Sequence, residues 1–245
     1  MMERFAIVEY GTYHLMSPLV AFIACGDGHP VLVLPGLASS DISTRPLRAM
    51  LGMRGHDVHG WHLGHNLGPH PRVLDGIESR LLELHEATGR RVSLVGWSLG
   101  GTYARELARD HPDLVRQVIT LGSPFRFRDG DRTHASPFYD HVGPPEDPFP
   151  GRALDEHERP PMPVPVTSIY TRTDGIVRWH SCLEEVGPRA ENVEVHGTHT
   201  GLGCNMAATI AVADRLAQPE GTWARFRPPI MLRPLFPRPA SWQRM

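Results

Sequence analysis

The sequence predicts an α/β domain: a mostly parallel central sheet flanked by helices, with one irregular insertion. Three observations predict it. Short apolar runs alternate with segments of helical period, the order that covers both faces of a parallel sheet. The run Pro30-Val31-Leu32-Val33-Leu34-Pro35-Gly36 is wholly apolar and bounded by turn signals, as a strand buried on both faces should be. The segment Arg91-Val92-Ser93-Leu94-Val95-Gly96-Trp97-Ser98-Leu99-Gly100-Gly101 carries an apolar β-branched run into Gly-x-Ser-x-Gly and then a helix-compatible stretch.

After the first strand, Ser43 to Met53 reads as a helix with Leu47, Met50 and Leu51 on its apolar side. A second strand is expected around His56 to Trp61, and a Gly-, His- and Pro-rich loop runs from Gly64 to Pro71. Arg72 to Thr88 is amphipathic, with Val73, Ile77, Leu81, Leu84 and Ala87 along one side. Gly89 ends it, a glycine being the usual left-handed C-terminal residue. The helix predicted from Ser98 to Asp110 stops at His111-Pro112, because the residue before a proline disfavours the helical region. Leu114 to Leu121 follows as a strand, closed by Gly122-Ser123-Pro124.

Residues 125–163 are rich in Pro, Gly, His and charge and show little period. An insertion that long in a compact domain is usually functional, so a lid or cap is expected, with a plain surface loop as the alternative. Its Phe125, Phe127, Phe138 and Phe149 would suit a lid that meets acyl chains, or would anchor the insertion to the core. Val164 to Thr171 and Asn192 to His196 read as further strands, and Leu202 to Leu216 as a last helix. Residues 219–245 form a Pro- and Arg-rich tail expected to run over the surface of a single domain spanning 1–245.

The chain has 245 residues, 40% hydrophobic and 21% charged, with a net charge of −2. That balance fits one globular domain and points to no nucleic-acid partner. All 25 basic residues are arginine, which reads as coding bias. No signal-peptide pattern is visible and the apolar stretch Leu15 to Cys25 is too short to span a bilayer, so a cytoplasmic location without stable membrane insertion is expected. Three cysteines make no disulfide framework. Cys25 reads as a buried thiol; Cys182 and Cys204 read either as a bridge stapling two loops or as small buried residues. No histidine or cysteine spacing suggests a metal, and no glycine-rich loop suggests a phosphate, so neither metal nor cofactor is expected.

The chemistry centres on Ser98. A strand–tight turn–helix context forces the serine into a strained conformation, so Gly96 and Gly100 must be small. Its hydroxyl then stands at a helix N-terminus beside backbone N–H groups that can hold an oxyanion. The alternative is a glycine-rich turn whose serine only caps the helix. A serine hydroxyl needs a base, and the base needs an orienting carboxylate. On a strand–turn–helix scaffold of this kind the order is serine, acid, histidine. Asp174 lies in Thr171-Arg172-Thr173-Asp174-Gly175-Ile176-Val177, and His199 in Val195-His196-Gly197-Thr198-His199-Thr200-Gly201, each just beyond a predicted strand. His196 is disfavoured because a strand would fix its direction, and His180 because it crowds the acid loop. Glu184, Glu185 and Glu191 read as solvated surface carboxylates. The oxyanion donors expected are the backbone N–H groups of Leu99 and of Leu37, in the loop after the first strand.

The glycine-flanked serine, Leu34-Pro35-Gly36-Leu37, the Thr-Leu-Gly-Ser-Pro strand end, Thr173-Asp174-Gly175-Ile176-Val177 and Gly197-Thr198-His199 together resemble a bacterial esterase/lipase of the α/β-hydrolase superfamily. His59-Gly60-Trp61-His62-Leu63-Gly64-His65-Asn66-Leu67-Gly68 is similar to a stretch in a lipase-like bacterial group of that fold. The likeness spans roughly residues 30–217, with Pro35 where a histidine is more familiar. It implies a Ser98–His199–Asp174 triad and hydrolysis of a small-molecule or lipid carboxylic ester. A lactonase, amidase or acyltransferase on the same residues, or a non-catalytic binding protein, remain the other readings.

Overall fold

A computed structural model describes residues 11, 17–126 and 159–242. Most of the predicted lid, residues 127–158, lies outside the described residues, as do Phe127, Phe138 and Phe149. Six strands form one sheet: β1 (Pro30–Leu34), β2 (Asp57–Gly60), β3 (Val92–Trp97), β4 (Val115–Leu121), β5 (Val166–Tyr170) and β6 (Ala190–Glu194). Their order is β2-β1-β3-β4-β5-β6, and every neighbouring pair is parallel. Among the described residues, four α-helices accompany them: α1 (Asp41–Gly52), α2 (Pro71–Thr88), α3 (Leu99–Asp110) and α4 (Met206–Leu216).

The central strands are buried along their whole length, as their continuous apolar runs require. Alternate residues divide between the two faces. Val31, Val33, Val95, Trp97, Ile119 and Leu121 pack with α1 and α4, while Leu32, Leu34, Leu94 and Val118 pack with α2 and α3. The helix ends follow local chemistry. Ser40 Oγ accepts from Ile42 N at the start of α1, and Gly89, at φ 64, donates its N–H to His85 O beyond α2.

The strand order positions the site. From β1 the chain winds outward to β2, then crosses back so that β3 lies on the other side of β1. The crossovers on either side of that junction leave opposite faces of the sheet, which opens a crevice at the carboxyl ends of β1 and β3. Leu34 pairs with Gly96 there, so the loop after β1 and the turn after β3 emerge side by side.

Several expectations are corrected. β6 begins at Ala190, paired with Val166, which leaves His196 exposed beyond its end. The last helix is split: a 3-10 turn over Thr200–Cys204 precedes α4, because Asn205 caps the helix through Oδ1 and donates Nδ2 to His196 O at 2.7 Å. Glu184 and Glu191 are buried, not solvated, because Arg105 from α3 and Arg215 from α4 reach them. Burial pushes the Glu191 carboxyl above its ordinary value, against the opposing charge of Arg215. Cys25 is exposed, in the segment between the Ser17–Phe22 turn and β1, with Arg54 Nη2 against its sulfur. Cys182 and Cys204 are both buried and unbridged, and they fall in separate packing clusters. No helix among the described residues is long and apolar enough to cross a membrane.

Candidate active site

One residue, Ser98, separates β3 from α3. It stands at φ 53, ψ −124, a region that a residue with a Cβ enters at a cost of about 1–3 kcal/mol. Two backbone hydrogen bonds hold it there: Ser98 N–H donates to Leu121 O at 2.8 Å, and Ser98 O accepts from Gly101 N at 2.9 Å. The neighbouring glycines have steric reasons. A Cβ at Gly96 would overlap the Gly101 backbone, one at Gly100 the Leu34 carbonyl, and one at Gly101 the Ser123 hydroxyl. The Ser98 side chain makes no capping bond to α3. Its hydroxyl faces a histidine instead.

Ser98 Oγ lies 3.0 Å from His199 Nε2, and His199 Nδ1 lies 2.6 Å from Asp174 Oδ2. With Nδ1–H directed at the carboxylate, Nε2 presents its lone pair to the serine hydroxyl. The Asp174 and His199 side chains are 1% and 4% exposed, while Ser98 is half-buried, so the chain of contacts opens outward only at the serine. Asp174 Oδ1 accepts from the N–H groups of Ile176 (2.9 Å) and Val177 (2.8 Å), which leaves Oδ2 for the imidazole. The three residues singled out in the sequence are thus brought together. His196 is not among them, and His180 stacks edge-on against Trp179, with ring centroids 5.8 Å apart.

Several supporting residues were not read from the sequence. Trp97 Nε1 donates to His199 O at 3.1 Å, tying the strand before the serine to the histidine loop. Gly122, at φ 56, lies beneath the pair: a Cβ there would be 2.8 Å from Leu202 Cδ1, 3.2 Å from His199 Nδ1 and 3.4 Å from Asp174 Oδ2. The hydroxyls of Thr171 and Thr173 both donate to Gly197 O, at 3.0 and 2.5 Å, and fasten the acid loop to the histidine loop. Only Gly122 had a local signal, the Gly-Ser-Pro end of β4.

The loop after β1 closes the other side. A Cβ added to Gly36 would come within 3.1 Å of Ser98 Cβ, so this loop runs against the serine itself. Among the described residues, the backbone N–H groups of Leu37 and Leu99 donate to no protein acceptor. Leu99 opens α3, where the helix dipole adds positive potential. No group of three or more His, Cys, Asp or Glu able to hold a metal gathers among the described residues. The arrangement can deliver a serine oxygen to an electrophilic carbon and pass its proton to an imidazole.

No protein-family model matches the chain. Over 104 residues, 42% of its length, it is 31% identical to the pimeloyl-[acyl-carrier protein] methyl ester esterase of Vibrio vulnificus (strain CMCP6). The match spans 40% of that esterase. Among solved structures, Aspergillus fumigatus lipase B superposes with a TM-score of 0.59 at 19% identity, covering 79% of this chain and 53% of the lipase. The α/β hydrolase domain-containing protein 10 from mouse superposes with a TM-score of 0.55 at 17% identity, covering 78% of this chain and 90% of that one. The chain has the α/β-hydrolase fold. In this fold the turn after β3, the loop after β5 and the loop after β6 meet at one end of the sheet. The fold alone does not decide the chemistry, which must be argued from those three loops.

Proposed function

We propose that this α/β-hydrolase is a serine carboxylic-ester hydrolase that works through an acyl-enzyme. The observation that carries the reading is the continuous chain Ser98 Oγ to His199 Nε2 (3.0 Å) and His199 Nδ1 to Asp174 Oδ2 (2.6 Å). Ser98 Oγ attacks the ester carbonyl as its proton moves to His199 Nε2. Asp174 keeps the proton on Nδ1 and stabilises the imidazolium that forms. The N–H groups of Leu37 and Leu99 donate to the oxyanion of the tetrahedral intermediate, each worth about 3 kcal/mol in the transition state. Collapse expels the alcohol, which takes the proton from Nε2 and leaves the acyl group on Ser98. A water molecule, deprotonated by His199, then attacks the acyl carbonyl. The carboxylic acid leaves and the proton returns to Ser98.

The likeness to an esterase over part of the chain agrees with an ester as substrate, and a small-molecule or lipid ester fits the reading. Ser98→Ala should lower the hydrolysis of p-nitrophenyl esters by at least ~10⁴-fold with the melting temperature little changed. A fluorophosphonate should label the wild type at one site per chain and leave Ser98→Ala unlabelled. Undiminished turnover by Ser98→Ala would refute the assignment, and a wild type that neither turns over esters nor is labelled would favour a binding protein.

A further inference from the structure

Asn66 lies in the loop between β2 and α2, within the His59–Gly68 stretch whose role the proposed chemistry does not use. It is fully buried, and both ends of its side-chain amide are hydrogen-bonded. Its side-chain Nδ2 donates to Pro35 O at 2.9 Å, and its Oδ1 accepts from Tyr103 Oη at 3.1 Å and from Gly68 N at 3.2 Å. Its backbone carbonyl accepts from Ala38 N at 2.7 Å, and its backbone N–H donates to Ser39 O at 2.8 Å. Three of these five bonds end on residues 35, 38 and 39, on both sides of Leu37.

That loop would not hold its shape unaided. Ala38 sits at φ 56, in the left-handed region that a side chain disfavours, so tertiary bonds must fix the conformation. Within the loop, the Gly36 carbonyl accepts from Ser39, through its N–H (3.3 Å) and its hydroxyl (2.7 Å). Asn66 supplies the outer ties, and Tyr103 connects it to α3, the helix that follows Ser98.

We propose that Asn66 is a positioning residue for the oxyanion hole: it holds the 35–39 loop so that the Leu37 N–H points at the carbonyl oxygen of the ester that Ser98 attacks. The inference rests on the serine-hydrolase reading and extends it to a residue outside the triad. An oxyanion donor contributes only when fixed before the charge develops, so loss of the frame should act on the transition state more than on substrate binding. The primary amide is the fitting group, since one side must donate to a carbonyl while the other accepts a hydroxyl and an N–H.

The test compares wild type, Asn66→Ala and Tyr103→Phe on p-nitrophenyl butyrate, with rates normalised to the sites labelled by a fluorophosphonate at completion. Asn66→Ala should lower kcat per labelled site about 10²-fold, in line with the loss or misplacement of one donor, while KM changes less than about threefold. Its affinity for an alkylboronic acid, which forms a tetrahedral anionic adduct on the serine oxygen, should fall by a similar factor. Tyr103→Phe keeps the side-chain tie to Pro35, the loop contact that Asn66→Ala removes, and should fall between the two. A kcat per labelled site within threefold of wild type, or equal losses in an uncharged ground-state inhibitor and in the boronate, would overturn the proposal. If Asn66→Ala does not fold, Tyr103→Phe decides, and an unchanged kcat and boronate affinity in that variant overturns it. A wild type that hydrolyses no ester would instead sink the serine-hydrolase reading on which the inference stands.

Discussion

Gly122 joins steric reach to chemistry in a single residue. Its left-handed φ and the atoms waiting around a Cβ mean that Gly122→Ala must push on Leu202, on the His199 ring or on the Asp174 carboxylate. Misplacement of a base by a fraction of an ångström is costly, so kcat should fall about 10²-fold. The fold should also lose about 1–3 kcal/mol from strain. Ester kinetics alongside thermal melting would separate the two effects, and unchanged kcat would show that the pair absorbs the methyl group. Ser98, Asp174 and His199 could be found in the sequence because each sits beside small residues just past an apolar run. Trp97 could be placed but not given its task, because the carbonyl that its indole meets lies 102 positions away. Asn66 was hidden for the same reason: apart from Gly68, its partners come from the β1 loop and from α3.

Among the elements, α3 carries more than the turn before it. Arg105 on its buried face pairs with Glu184, which lies just after the Trp179–Cys182 turn, and Arg126 approaches the same carboxylate at 3.8 Å. Breaking a pair that is about 1% and 5% exposed leaves a guanidinium in a low-dielectric setting, at a cost of about 3–5 kcal/mol. Glu184→Gln should therefore lower the melting temperature by roughly 10 °C. An unchanged melting temperature would mean that the amide and neighbouring groups satisfy Arg105 as well as the carboxylate does. The elements themselves were legible, because their periods differ: continuous apolar runs for the buried strands, and a wide apolar stripe for α2. Their ends were less so. The break at Asn205 depends on a bond to His196 O across a loop, and the position of β6 is set by pairing with Val166, neither of which is encoded locally. The buried glutamates misled for a related reason, since a carboxylate looks solvated until its arginine arrives from another helix.

For the molecule as a whole, two buried histidines at the start of the sheet tie stability to pH. Burial pushes the His29 imidazole below its ordinary value of 6.5, against the pull of the Asp27 carboxylate bonded to it. Burial does the same to His56, against its hydrogen bond to Ala24 O. Both groups bind protons more readily in the unfolded chain, so their contribution is fully present above about pH 6.5 and is lost as pH falls through their lower folded-state values. The melting temperature should drop between pH 7.5 and pH 5.5, and His29→Gln should flatten that slope; a flat wild-type profile would refute the linkage. The tail adds a consequence of another kind. Trp242 packs in one cluster with Tyr170, Cys182 and Val177, the last of which donates its N–H to Asp174. The turn around Ser98 has its own bonds long before residue 242 is made, whereas the acid loop gains its last packing partner only then. The Ser98 turn should therefore form during synthesis before the Asp174 loop is secured, and a chain still emerging from the ribosome should label poorly with a fluorophosphonate.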